Sequence, residues 1–423
     1  MTIWLVEPRD PLIVREGRPF GPDAGASATS LSFPFPSTMA GGARSRSAID
    51  ENGAFKYERA ENMTPEDLQA YQKQLDQLKE IRVRGPLLVQ LADDDHDLAP
   101  DENAWLVPMP NDAQLFETNA KGKDMALVRR LVPLTLPTRA QTDFEQGKQL
   151  LLVGQSHSTA TQSRKPLAHK LRYWYWTHFQ TWLTHPEQLE QKNDLSLSAL
   201  GYEELIREYR QHVSMDSDRE MGKEGMLFGT SGLEFTHPGA HEQRLHHARR
   251  LALAIDVDDH DHGTSPLPGV TGFGGERRIV TWRPSQQTFP ACPQEVKDEL
   301  KRTGSCRLIL LTPACFKEGY YPTWVRTDHA QACGVTVTVQ AIATRRPQVV
   351  SGWDLALSRP KPSRRLAPAG TVLFLSVRGN ASELDQWIEQ TWMQCISDDV
   401  QDRRDGFGLA VLGTWSGQPA TMH

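Results

Sequence analysis

The stretch from Ser382 to Trp415 restricts the folds open to this chain more than any other. Leu384, Trp387, Ile388, Thr391, Trp392 and Cys395 recur at three- and four-residue spacing, one face of a helix. Ser382 stands where an N-cap would, with Asp385 three residues on. A polar run from Ser397 to Asp405 ends that helix, and Leu409 to Trp415 reads as a buried strand. The turn between them carries Arg403, Arg404, Gly406 and Gly408. Glycines at a helix-to-strand turn let backbone N–H groups reach a phosphate with no Cβ in the way. The same glycines serve turn geometry alone, and a short glycine motif does not separate the two.

A second turn repeats this pairing of glycine with arginine. Gly272-Phe273-Gly274-Gly275-Glu276-Arg277-Arg278 leads into the strand Ile279–Trp282. Near the start, a strand over 2–7 precedes Arg15 and Arg18, which flank a turn in a proline-rich segment; residues 21–32 read as a small-residue loop. Ser37 then reads as the N-cap of a helix carrying Thr38, small residues, Arg44 and Arg46, and a helix N-terminus favours anions. Further strands are expected over 81–91, 104–109, 307–312, 334–344 and 371–377, and helices over 65–80 and 195–210.

At 423 residues the chain has material for two or three domains, and its net charge of −6 leaves no global basic field. Nucleic-acid binding must therefore come from local patches. One such patch runs from Gln146 to Pro186, which holds no acid but includes Lys165, Lys170, Arg172 and Tyr173-Trp174-Tyr175-Trp176. Cations for phosphates interleaved with rings for bases suit single-stranded nucleic acid. Leu167, Leu171, Trp174, His178 and Trp182 also share one helix face, which points to core. A second acid-free zone spans Leu355 to Ser382. Residues 212–216 and 225–229 read as strands joined by a charged hairpin tip.

Other chemistries find less support. The acids around His96 and the run Asp258–His262 lack fixed ligand spacing, so solvated loops are expected and no metal or cofactor. Five cysteines without a C-x-x-C indicate neither a disulfide framework nor a zinc knuckle. No run of 18 apolar residues and no secretory leader are visible, so a cytoplasmic protein without membrane contact is expected.

Motifs along the chain carry a resemblance. The opening Glu7-Pro8-Arg9-Asp10-Pro11-Leu12-Ile13-Val14-Arg15-Glu16-Gly17-Arg18-Pro19-Phe20 resembles the N-terminal signature of the third-subunit family of the Cmr module. That family is a branch of the RAMP superfamily found in type III-B CRISPR effector complexes. Phe35–Gly41, Glu224–Phe228, Gly274–Glu276, Leu310–Pro313, Ser351–Asp354, Ala367–Val372 and Gly406–Gly408 continue the likeness in order; 50–80 and 140–200 are hard to align.

The resemblance implies an α+β fold of two ferredoxin-like domains with antiparallel sheets, here divided as 1–245 and 246–423. It implies no catalysis. It implies a grip on the repeat-derived 5′ tag of the CRISPR RNA, with the large polymerase-like subunit and a backbone RAMP subunit as partners. Carried onto this chain, the RNA contacts fall on Arg15, Arg18, Ser37, Thr38, Arg44, Gly274, Gly275, Arg277, Gly406 and Gly408, to which the local charge reading adds Lys165, Lys170 and Arg404. Two other readings stay open. A metal-independent endoribonuclease would need a histidine base, for which His157, His169 and His178 are candidates. A protein-only scaffold would need no RNA affinity at all.

Overall fold

The computed structural model describes residues 2–15, 27–50, 53–57, 64–92, 97, 104–118, 124–137, 150–155, 164–167, 171–192, 195–216, 218–237, 249–258, 265–326, 333–354 and 359–421. Its first elements are β1 (Thr2–Pro8), α1 (Pro36–Ser47), α2 (Pro65–Glu80) and β2 (Arg82–Gln90). β3 (Trp105–Pro108), β4 (Met125–Thr135), β5 (Tyr173–Tyr175), α3 (Trp176–Thr184) and α4 (Pro186–Glu190) follow. Next come β6 (Ile206–Asp216), β7 (Met221–Glu234), β8 (Arg249–Asp258), β9 (Gly269–Phe273) and β10 (Arg278–Ser285). The last group is α5 (Gln294–Thr303), β11 (Ser305–Leu310), β12 (Thr336–Ala343), β13 (Val372–Arg378), α6 (Ala381–Glu389), α7 (Val400–Arg404) and β14 (Leu409–Thr414). The fold is mixed α+β with mostly antiparallel sheets.

The chain forms two compact units, each discontinuous in sequence. The first takes residues 1–99, 204–288 and 349–364; the second takes 100–203, 289–348 and 365–423. This differs from a division at 245/246. β1 pairs with β8 and β10, so the opening strand is completed by chain from beyond residue 245.

In the first unit the strands run β2-β8-β1-β10-β9, with antiparallel pairing throughout. Trp4, Val6, Val280 and Trp282 lie in its core. α1 buries Met39, Ala40 and Ala43, a strip of mostly small side chains that permits close approach. At Gly42 even a Cβ would overlap the Phe273 ring of β9. Arg46 fixes the same helix to the β9 entrance by donating to the carbonyls of Leu267 (2.8 Å) and Pro268 (2.9 Å). α2 forms over the 65–80 that its sequence predicts, and it opens on a Thr64–Asp67 capping box with Pro65 in its first turn.

In the second unit the order is β12-β13-β11-β14, again antiparallel. α6 packs by Leu384, Trp387 and Ile388. Its cap is Asn380, reciprocated by Glu383, rather than Ser382; the same spacing recurs two residues earlier. Arg307 of β11 is buried. It pairs with Asp112 at 2.6 Å, donates to the Trp182 carbonyl, and donates to the Thr414 carbonyl at 2.9 Å. Asp112 in turn accepts from the Trp182 indole at 2.9 Å.

Two local expectations are corrected. Residues 195–210 are not one helix. They form a short strand, a single helical turn over Leu197–Leu200, a second short strand, and then β6. Pairing along the β6–β7 ribbon, from Ile206↔Glu234 to Asp216↔Met221, overrides the local helical periodicity. Likewise Leu167 lies in a loop and Tyr173–Tyr175 is a strand, so helix begins only at Trp176. The aromatic content is nonetheless core: Trp174, Trp176, Phe179 and Trp182 are all buried.

Candidate nucleic-acid interface

The site is built on the segment Leu12–Arg15. Leu12 exchanges backbone bonds with Leu233 of β7, each 2.8 Å. Val14 N–H donates to the Ser30 hydroxyl at 2.8 Å, and Ser30 N–H donates to the Ser231 hydroxyl at 2.9 Å. Ser30 is fully buried, a hub rather than part of a free loop. No local signal marks it, because its partners lie 16 and 201 residues away. Arg207 of β6 caps the arrangement by donating to the Ser30 carbonyl at 2.7 Å.

The 274–277 turn rests on this segment. Gly275 N–H donates to the Ile13 carbonyl at 2.7 Å. Gly274 has φ +72° and ψ −162°, backbone that only glycine adopts readily. A Cβ there would lie 2.6 Å from the Ile13 carbonyl oxygen, so side-chain bulk is excluded twice. A Cβ on Gly275 would stand 3.5 Å from Arg15 Cδ. The turn thus sits against Arg15, which is exposed. Glu276 and Arg277 are both left-handed, with φ +55° and +48°. Glu276 is engaged by Arg278 at 2.7 Å. Arg277 is exposed and makes no ion pair among the described residues. Arg15, Gly274, Gly275 and Arg277, separated by some 260 positions in sequence, are therefore brought together.

The remaining expected residues are placed differently. Ser37 is not the N-cap of α1. Phe35 caps the helix and Pro36 takes its first position, where proline's fixed φ and missing N–H cost nothing. Ser37 and Thr38 lie half-buried in the first turn of this unit's helix. Arg44 points inward, 9% exposed, and donates Nε and Nη2 to the Ile81 carbonyl at 3.2 and 2.9 Å, which takes it off the exposed surface. Arg18 and Lys170 lie outside the described residues, as do His157 and His169. Lys165 and Arg172 are exposed, in the second unit. His178 is half-buried on α3, and burial, with Lys192 adding to it, lowers its imidazole pKa.

The 403–408 turn also belongs to the second unit, and its groups are spent within the chain. Gly406 N–H donates to the Arg403 carbonyl (3.2 Å), Phe407 N–H to that of Asp402 (3.0 Å) and Gly408 N–H to that of Pro313 (2.8 Å). The carbonyls of Gly406 and Phe407 accept from Thr312 and Ser397 hydroxyls. Gly406 and Gly408 are buried with φ +93° and +83°. Here the glycines serve backbone geometry, and the N–H groups are not open to a phosphate. Arg403 donates to the Ser397 and Asp398 carbonyls, and Arg404 is half-buried at the end of α7.

Among the described residues no group of three His, Cys, Asp or Glu is placed to hold a metal ion. Burial pushes the Cys292 thiol up to about 12. Its alkylation by iodoacetamide at neutral pH is expected to be far slower than that of a free cysteine in a short peptide, a comparison mass spectrometry can make. No described helix is long and apolar enough to cross a membrane.

Two mostly antiparallel sheets, the first bearing a glycine turn flanked by the exposed Arg15 and Arg277, make this a two-unit α+β protein. Residues 4–415 match the family model described as CRISPR-associated protein (Cas_Cmr3). That match covers nearly the whole sequence, and the chain belongs to this family of CRISPR-associated proteins. No curated protein matches it. Among solved structures it is similar to a chain in the cryo-EM structure of the Type III-B Cmr-beta bound to cognate target RNA. The identity is 14%, over 88% of this chain and 86% of that one, with a TM-score of 0.41. It is also similar to a chain of the Type III-B Cmr-beta bound to cognate target RNA and AMPPnP, state 1, at 14% identity, the same coverage and a TM-score of 0.37.

Proposed function

We propose that this chain is a non-catalytic subunit of a type III-B CRISPR effector complex that holds the 5′ tag of the CRISPR RNA. The observation that carries this reading is the Arg15–Gly274–Gly275–Arg277 cluster. It is a pair of exposed arginines beside a turn whose Gly274 and Gly275 carry no Cβ and whose Glu276 is held by Arg278. Arginine on a fixed support recognises phosphate by paired N–H donors, and phosphate contacts set register while base edges supply sequence preference. Family membership supplies the biological setting. The large polymerase-like subunit and a backbone subunit are the protein partners in this reading, and the cytoplasm is the compartment.

The same reading takes both units as ferredoxin-like. Numbering the four principal strands of each unit in chain order, both sheets run 4-1-3-2. In the first unit a helix, α1, follows the first strand; in the second a helix, α6, follows the third.

The test is binding of the purified chain to a short repeat-tag RNA against a scrambled control across a salt series. Arg15→Ala is expected to weaken tag binding by about 1–3 kcal/mol. Arg277→Ala is expected to do the same and to flatten the salt slope by about one phosphate contact. Unchanged affinity in both variants would remove the cluster from the RNA site. Cleavage of the RNA by the purified chain, lost in a His178→Ala variant, would favour the nuclease reading.

A further inference from the structure

Two acid-free stretches of the sequence, 146–186 and 355–382, take no part in the cluster above. The second unit brings parts of both to one corner of its fold. Pro108 of β3 pairs with Tyr173 of β5, and Met109 N–H then donates to the Arg172 carbonyl at 2.9 Å. Gly370, with φ +84°, lies directly on the Met109 carbonyl, where a Cβ would stand 2.4 Å from the oxygen. Thr371, the next residue, shares a 3.0 Å bond between hydroxyls with Thr344, just past the end of β12. Arg345 follows Thr344 in the chain. Arg172 and Arg345, remote in sequence, are thus set at one corner by backbone and hydroxyl contacts in which neither guanidinium takes part.

Both arginines are exposed. The Arg345 guanidinium makes no ion pair or hydrogen bond among the described residues. Burial, and after it the positive charge of Arg172, lower its pKa. The charge that Arg345 meets is therefore a second cation rather than a carboxylate, on a chain with 53 acids against 47 lysines and arginines. Two guanidiniums held close repel each other, and an anion bound to both turns that repulsion into attraction. Arginine forks match phosphate oxygens in pairs. A surface that reads bases would add exposed rings, but the rings next to Arg172 are spent on the core: Tyr173, Trp174 and Tyr175 are all buried. What the corner offers is charge without base recognition.

We propose that the Arg172–Arg345 corner is a second RNA contact, a backbone-phosphate site that takes RNA beyond the tag without reading its sequence. It rests on the RNA reading for its ligand and on the second unit alone for its geometry.

The experiment uses the full chain and two labelled RNAs, the tag of about 8 nucleotides and the same tag extended at its 3′ end to about 16, both within the span of single-strand sites. Arg172→Ala/Arg345→Ala is expected to leave the short RNA unaffected and to weaken the long one about tenfold, whatever the sequence of the extension. The slope of log affinity against log salt should become shallower by about 1.4, the share of two phosphates on a single strand. Lys301→Ala/Arg302→Ala removes the same charge from α5, where each cation already holds a carboxylate (Asp385 at 2.6 Å, Glu299 at 2.7 Å), and should leave both RNAs bound as before. Equal weakening by the corner and α5 variants would overturn the proposal, and so would a corner variant that binds the long RNA normally. Loss of a labelled oligoglutamate peptide with RNA binding intact would assign the corner to an acidic protein instead. Arg15→Ala separates this site from the tag site. If it weakens both RNAs while the corner variant weakens neither, the corner falls alone. If it weakens neither while the corner variant weakens the long RNA, the tag reading falls and the corner stands.

Discussion

Asp112→Ala is expected to destabilise the chain by about 3–5 kcal/mol, because it leaves the Arg307 guanidinium charged, buried and without its carboxylate. Arg307 is 1% exposed and Asp112 fully buried, so no water relieves the loss. The pair also organises its surroundings. Asp112 takes the Trp182 indole proton, while Arg307 binds carbonyls at the end of α3 and at the end of β14. Helix and sheet edge in this unit are thus joined through one ion pair. A denaturant titration followed by tryptophan fluorescence reads the loss. The instructive comparison is Asp112→Leu/Arg307→Met, which removes both charges and keeps apolar volume. It is expected to be less destabilised than Asp112→Ala, the signature of an orphaned charge rather than of lost attraction. A cost below about 1 kcal/mol for Asp112→Ala would mean that the guanidinium finds water or another partner.

The sequence made elements legible wherever local chemistry decided them. α2 forms over the 65–80 expected from its pattern, and β11 to β14 declare themselves by apolar runs between glycine and proline. The turn at 272–278 is legible for the same reason, since Gly274 occupies backbone that no other residue takes readily. What stayed hidden was set by long-range pairing. β1 is completed by strands more than 240 residues away, so no boundary at 245/246 could be right for its sheet. The first half of β6, 206–210, reads as helix until its pairing with β7 is known, whereas 212–216 already reads as a strand. The two glycine–arginine turns look alike in sequence, yet one leaves Arg277 exposed and the other spends its N–H groups internally. Nothing within either motif distinguishes them; the difference lies in Ile13 beneath one and in Pro313, Thr312 and Ser397 around the other. Arg44 carries the same lesson, since its partner is the carbonyl of Ile81, on the segment between α2 and β2.

That difference between turns yields the other large effect. Gly274→Ala is expected to cost about 2–4 kcal/mol of stability, from a φ/ψ region closed to alanine and a collision with the Ile13 carbonyl. The turn must lift off the Leu12–Arg15 segment to accept a methyl group, and the 2.7 Å bond from Gly275 to Ile13 goes with it. Arg15 and Arg277 then lose their common support, so tag RNA affinity is expected to fall even in protein that remains folded. Gly408→Ala is the matched control. Its Cβ would meet Ser397 N at 2.9 Å at φ +83°, so it too should destabilise the fold. It touches only internal bonds of the second unit, and folded Gly408→Ala protein should bind tag RNA as the parent does. A double-mutant cycle makes the link quantitative. If Gly274 acts by holding Arg15 in place, Gly274→Ala combined with Arg15→Ala should lose clearly less binding energy than the sum of the two single losses. Strict additivity would mean that turn and arginine contribute separately, and equal RNA loss in Gly408→Ala would mean that both changes act through general unfolding.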